Sequence, residues 1–185
     1  QRLHGGEWVA HPPRPLPDDG IYHPDISRTP VFADYLAQRV DPAKITVGLW
    51  FYQTYWTNNN LAFVDSLIRS IEAHGANVIP VFHLRYKDAE RGNRGADDVV
   101  TDYFMDGDRP RIDVLINPLM FSLTLAAPAF KPLLATLGVP VIQAVTCSAP
   151  YAQWAESVQG LPTMDVSYSA AQPEFDGALI TVPVA

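Results

Sequence analysis

Cysteine is almost missing from this chain. The single thiol, Cys147, excludes an internal disulfide and a cysteine-only zinc site, and it fits a reducing, cytoplasmic setting. Basic residues are outnumbered 13 to 20, and a net charge of −7 leaves no cationic face of the kind a dedicated nucleic-acid binder needs. No apolar run reaches the length of a membrane span. The chain opens on Gln1 without a signal-peptide pattern and stops inside the strand-like ALITVPVA, so a piece of something longer is expected. Nucleotide motifs are lacking too. There is no GxxxxGK followed by Ser or Thr, which excludes ATP hydrolysis by a P-loop, and no GxGxxG after the first strand. HExxH, CxxC and GxSxG are also missing, so neither a zinc pair nor a serine elbow can be read from spacing.

What the chain does have is apolar residues, 48% of 185, enough for one domain with a core. Ile45, Val47, Leu49 and Phe51 predict a buried strand. Leu61, Val64, Leu67, Ile68 and Ile71 then fall on one helical stripe closed by Gly75, with Asn58, Asn59 or Asn60 placed to cap it. A second strand at 77–82 completes a βαβ unit with a right-handed crossover. Further strands are predicted at 112–117, 139–145 and 178–182. Helices are expected with Phe130, Leu133, Leu134 and Leu137 inward, at about 150–158, and over 163–171. In the charge-rich stretch 85–113, Val99, Val100, Tyr103 and Phe104 mark a short helix that reads as a solvated surface element. Residues 1–30 hold six of the 17 prolines and read as extended, turn-rich chain; 31–40 predicts a short helix with Val31, Tyr35 and Leu36 inward. The fold expected is therefore α/β: a Rossmann-like or flavodoxin-like three-layer sandwich over 43–185. Its mainly parallel sheet has four or five strands in the order 2-1-3-4, and a proline-rich arm and short helix over 1–42 precede it.

In such sheets ligands gather where the carboxyl ends of the strands release their loops. Gln53, Tyr55, Trp56, Asn58 and Asn60 follow the first strand; His83, Arg85 and Tyr86 follow the second. Asn117, Met120, Phe121 and Ser122 follow the third; Thr146, Cys147 and Ser148 follow the fourth. Amides, hydroxyls and aromatics around a cleft suit a flat, polar-rimmed ligand, and Arg85 and Lys87 suit its carboxylates. Each residue also has a plainer reading. The asparagines serve as turn and cap residues, His83 finishes a strand against a helix, and Trp56 and Phe121 pack between domains. Cys147 is then a small buried hydrophobe, and His23, ahead of Pro24, a turn residue. In QPEFDG at 172–177, Pro173 and Gly177 impose a turn that holds Glu174 and Asp176. These are either carboxylates beside the cleft, able to take protons or hold a divalent ion, or ordinary turn carboxylates in water.

Four stretches together resemble one family, the large tetrapyrrole-binding subunit of ATP-dependent metal chelatases: CobN of cobaltochelatase and the H subunit of magnesium chelatase. They are GIYHPD at 20–25 with Phe32 and Tyr35; VGLWFYQ at 47–53 with Asn60, VDSLI at 64–68 and EAHGANVIPVF at 72–82; VIQAVTCSAPYAQWAESVQGL at 141–161; and QPEFDGALITVPV at 172–184. HPD and the FY ending of the first strand lean towards the CobN branch. The resemblance implies a subunit that holds a carboxylated tetrapyrrole while a divalent metal is inserted, Co2+ into a corrinoid precursor first and Mg2+ into protoporphyrin IX second. ATP enters only through separate AAA+ ATPase subunits, and other domains of the same large subunit complete the machine, so this segment alone is expected to be inactive. The family motifs carry His23 and Glu174 forward as catalytic and metal-handling residues, with Asn60, Trp154 and Asp176 in support. Tyr55, Trp56, His83, Arg85 and Asn117 join them as substrate contacts. Departures fall at Gln53, Tyr55 and Asn59, where relatives tend to show Arg, His and Gly. Two other readings are a small-molecule-binding module of periplasmic-binding-protein type and a purely structural module that docks other domains through Trp8, Trp50 and the proline-rich arm.

Overall fold

Backbone hydrogen bonding in the βα alternation builds one central sheet. The computed structural model describes residues 15–84, 87–88, 90, 92–123 and 133–184. In chain order the strands are β1 (Asp19–Ile21), β2 (Thr46–Tyr52), β3 (Asn77–His83), β4 (Met105–Asp106), β5 (Arg109–Pro110), β6 (Val114–Asn117), β7 (Val141–Val145) and β8 (Ile180–Pro183). The helices are α1 (Phe32–Arg39), α2 (Gln53–Thr57), α3 (Ala62–Ala73), α4 (Ala96–Val99), α5 (Tyr151–Glu156), α6 (Thr163–Val166) and α7 (Gln172–Glu174). Two π-helical segments, Val100–Phe104 and Ser167–Ala171, continue α4 and α6, and a 3-10 turn covers Leu133–Leu137. The sheet runs β1-β3-β2-β6-β7-β8, all parallel except β1, which lies antiparallel on β3; β4 and β5 form a separate hairpin. The mainly parallel α/β sheet agrees with the predicted alternation of strands and helices.

Alternation along the strands splits the core in two. Leu49, Phe51, Val78 and Phe82 face α3, packing on Leu61, Val64 and Ile68. Trp50, Ile79, Val81 and Leu115 face the other way, against Tyr35 of α1, the α4 helix with its π continuation, and Leu134 and Leu137. Tyr35 carries its hydroxyl into this layer and donates it to the Val78 carbonyl at 2.8 Å.

Several local expectations change. Val99, Val100, Tyr103 and Phe104 are buried rather than solvated, because the exposed Thr101 and Asp102 between them take the solvent side of the same turn. Ile45 and Val31 stay exposed; β2 begins at Thr46 and α1 at Phe32, each one residue past the apolar side chain expected to lie inward. No asparagine side chain caps α3: Asn58 and Asn59 form a turn, and buried Leu61 takes the cap position. Within QPEFDG the helix persists through Glu174 before turning. Phe130 and Trp8 lie outside the described residues. The described part of the proline-rich stretch joins the sheet as β1, a strand too short for period-two alternation to register in the sequence.

Candidate functional site

The carboxyl ends of β2, β3 and β6 release their loops onto one cavity of about 290 Å³, lined by Tyr52, Gln53, Thr54, His83, Leu84, Met120 and Phe121. Parallel strands with helices on the connections always leave their loops at the same edge, so these residues meet although up to 69 positions separate them. Two hydroxyls tie the rim together. Tyr52 donates to the Met120 carbonyl, and Tyr55 bonds Thr146 from the loop after β7, passing the end of β6 to do so. Burial raises the Tyr55 pKa, so it stays a phenol. Phe121 is held in the left-handed region at φ 68, unusual for a bulky residue, with its ring 4.4 Å from Tyr168.

The antiparallel β1 has a consequence for this edge. Asp19 pairs with His83, so the chain before it must cross the carboxyl ends of β2 and β3. Gln53 Nε2 donates to the Pro17 carbonyl at 2.5 Å, and the Leu84 amide donates to the Asp18 carbonyl at 2.6 Å. Asp19 accepts from the Tyr103 hydroxyl at 2.6 Å and faces Arg94 at 3.3 Å. Sequence pattern marked Tyr103 only as a helix position, and it did not single out Arg94, which lies in a charge run, or Asp19, which lies in a proline-rich stretch.

His83 is buried at the cavity floor, its Nε2 3.3 Å from the Arg94 carbonyl and its ring 5.9 Å from that of Trp50. Burial lowers its pKa. The Arg94 carbonyl and the Asp19 and Asp18 carboxylates oppose the shift, while the Arg94 guanidinium adds to it. An unfolded histidine takes a proton near pH 6.5 that folded His83 refuses. Stability is therefore full above that value and falls as pH drops through it, by at most about 1.4 kcal/mol per pH unit. His83→Gln is expected to flatten this dependence between pH 7.5 and 5.5, measured as the pH slope of the urea-unfolding free energy. An unchanged slope would mean that His83 does not titrate differently on folding.

Other candidates lie elsewhere. Asn117 is buried, donating Nδ2 to Gln143 Oε1 at 2.8 Å, while Gln143 Nε2 donates to the Leu119 carbonyl at 2.8 Å; the amide anchors the loop after β6. Trp56 stacks on Phe82 at 4.5 Å, away from the cavity, and Asn60 is exposed beyond α2. Asn59 has φ 54, a conformation that suits both Asn and Gly, so that departure leaves the backbone unaltered. Asp176 is buried and accepts from Ser122 Oγ at 2.8 Å and the Leu123 amide at 2.6 Å. Ser148 Oγ and its amide donate to Asp165, at 3.0 and 2.8 Å. Arg85 and Tyr86 lie outside the described residues; Cys147 is half-buried.

His23 and Glu174 are not brought together. His23 Nδ1 accepts the Asp25 amide at 3.2 Å, so Nε2 carries the proton and donates to Glu72 of α3 at 3.1 Å. Arg39 and Arg69 close an ion-pair network on Asp25 and Glu72, and Arg69 holds the Asp25 carboxyl well below the usual carboxylate range. Glu174 is exposed, six residues before β8. β1 and β8 are the two edges of the sheet, five strand spacings or about 24 Å apart. Among the described residues no three His, Cys, Asp or Glu side chains are grouped to hold a metal, and no helix is long and apolar enough to cross a membrane.

A mainly parallel sheet with helices on its connections puts the domain in the α/β class. The CobN/Magnesium Chelatase family profile matches residues 1–185, and the chain belongs to that family. A protein of Methanocaldococcus jannaschii is 33% identical over 93% of this chain. The aerobic cobaltochelatase subunit CobN of a Sinorhizobium species is 30% identical over 73% of it, and the H subunit of the magnesium chelatase of Cereibacter sphaeroides 29% over 91%. The chain spans only 14%, 10% and 14% of those three proteins, respectively. The fold is shared with the catalytic subunit of cobaltochelatase from Mycobacterium tuberculosis, at a TM-score of 0.63 and 22% identity over 96% of this chain and 14% of that one.

Proposed function

We propose that residues 1–185 act as a domain of a chelatase large subunit. At the carboxyl edge of its sheet the domain holds one side of a carboxylated tetrapyrrole during insertion of a divalent metal, with cobalt ahead of magnesium. The observation that carries this reading is the convergence of three strand ends on one cavity lined by Tyr52, Gln53 and His83. At about 290 Å³ that cavity sits at the lower limit for a ligand site, so it takes an edge or a side arm of the macrocycle while other domains supply the rest. Insertion removes two pyrrole protons and strips water from the ion, which calls for a base and a metal-handling group. Glu174 is assigned that role because it is exposed. His23, with both ring nitrogens engaged, is assigned to holding β1 on α3. ATP is used by AAA+ partner subunits, and the setting is cytoplasmic.

The test is a titration of the full-length subunit with a metal-free corrinoid precursor and with protoporphyrin IX, read by Soret quenching. Gln53→Ala and His83→Gln are expected to weaken binding by about tenfold each, the loss of one modest polar contact. Glu174→Gln is expected to leave binding intact and slow metal insertion by about tenfold or more. Unaltered binding in both cavity variants, with unaltered insertion in the Glu174 variant, would sink the assignment.

A further inference from the structure

Among the described residues, one face of the sheet is apolar farther than its covering extends. Leu49, Ile116, Ile142 and Ile180 stand in register across β2, β6, β7 and β8, and residues in register on parallel strands share a face. Leu49 is fully buried beneath α3, Ile116 and Ile142 are half-buried, and Ile180 is 54% exposed. Exposure rises along the row as α3 is left behind. Ala144 and Val182 repeat the pattern one step on, with Val182 42% exposed. Around the amino end of β8 the surface folds into a largely apolar groove of about 330 Å³, between Leu134, Val139 and Val141 on one side and Leu179 and Ile180 on the other. Every residue of β8 is exposed, and its outer backbone edge is unpaired among the described residues.

The charge pattern points the same way. No lysine or arginine occurs between residues 132 and 185. Of the four carboxylates there, Asp165 and Asp176 are buried, leaving only Glu156 and Glu174 exposed. A solvent-facing edge strand is ordinarily guarded by lysine, and a parallel sheet is ordinarily covered on both faces. Pro183 is the single guard that β8 carries.

We infer that the face over β6, β7 and β8, together with the edge of β8, is packed by a segment of the same large-subunit polypeptide outside residues 1–185. This rests on the proposed role as a domain of that subunit. The relatives supply the length, since this chain covers 14% of the magnesium-chelatase polypeptide it resembles. A surface this apolar and this poor in cations has the composition of a permanent interface, not of one that a partner visits and leaves. The cavity at the carboxyl edge is lined by other residues, so the docked segment closes the sheet without occupying the proposed ligand site.

Hydroxyl-radical footprinting of the wild-type full-length subunit, at low concentration and without partner subunits, tests this without any substitution. Modification at Ile142, Leu179, Ile180 and Val182 is expected to be about tenfold lower than for the same peptides in the urea-unfolded chain, as full burial requires. Modification close to the unfolded rate overturns the inference. Protection that appears only on raising the protein concentration assigns the face to a second copy, and protection that appears only on adding the ATPase subunits assigns it to them. Either result overturns the same-chain occupant. Tetrapyrrole titration of the same sample separates the two readings: binding without protection defeats only the docking inference, and protection without binding defeats only the ligand site.

Discussion

Phe104→Ala is expected to destabilise the domain by about 3–5 kcal/mol, the range for deleting a buried aromatic ring. Phe104 is fully buried at the end of a π-helical turn, its ring edge-on to Trp50 at 5.9 Å between centroids. It fits there because β2 has no side chain at Gly48. A Cβ at that position would lie 2.8 Å from Ile112 Cδ1 and 3.1 Å from Phe104 Cε1. Gly48→Ala alone is therefore expected to overpack the core at a cost of about 1–3 kcal/mol. Combined with Phe104→Leu, which clears the ring edge, it should cost less than the sum of the two single substitutions. Urea unfolding of wild type, both single variants and the double variant measures the coupling. Additivity within about 0.5 kcal/mol would mean that the two positions do not share the space.

The second large effect is expected at Asp176. Removing its carboxylate in Asp176→Ala leaves the Leu123 amide and the Ser122 hydroxyl without these acceptor contacts, at a cost of about 2–5 kcal/mol. Its neighbour offers the control: Glu174 is exposed, and Glu174→Ala is expected to change stability by no more than about 0.5 kcal/mol. Urea midpoints of the two variants decide it. A wild-type midpoint for Asp176→Ala, with metal insertion lost in the full-length subunit, would make Asp176 a ligand instead of the tie that holds the loop after β6.

These two carboxylates show where sequence reading stopped. QPEFDG offered both in one turn, and the family motifs put Glu174 ahead of Asp176 for chemistry. The helix runs on through Glu174, which leaves that residue in water while Asp176 turns inward to Ser122 and Leu123, 54 and 53 positions earlier. Contacts across such distances leave no local periodic trace. His23 makes the same point. Its resemblance to a family motif marked it for chemistry, but its neighbours Glu72, Arg39 and Arg69 come from elements that β1 brings alongside. The plainer readings fared unevenly: Trp56, read as packing between domains, stacks on Phe82 within this one, while His83, read as the end of a strand against a helix, closes β3 against the Arg94 carbonyl just ahead of α4.

By itself the sequence determined what local, repeating physics can encode. It specified the succession of parallel strands and helices, the apolar stripe of α3, the lack of a nucleotide loop, and the edge of the sheet where loops collect. Membership of the chelatase family was also written there, in four stretches lying in order. Tertiary structure alone decided which polar side chains remained available. Asn117 was drawn to Gln143, Asp176 to Ser122 and His23 to Glu72, each because a buried polar group must find its partner wherever the fold places one. The cavity beside Gln53 and His83, and the apolar face left exposed beyond α3 among the described residues, are where the proposed ligand and the proposed docked segment would meet this domain.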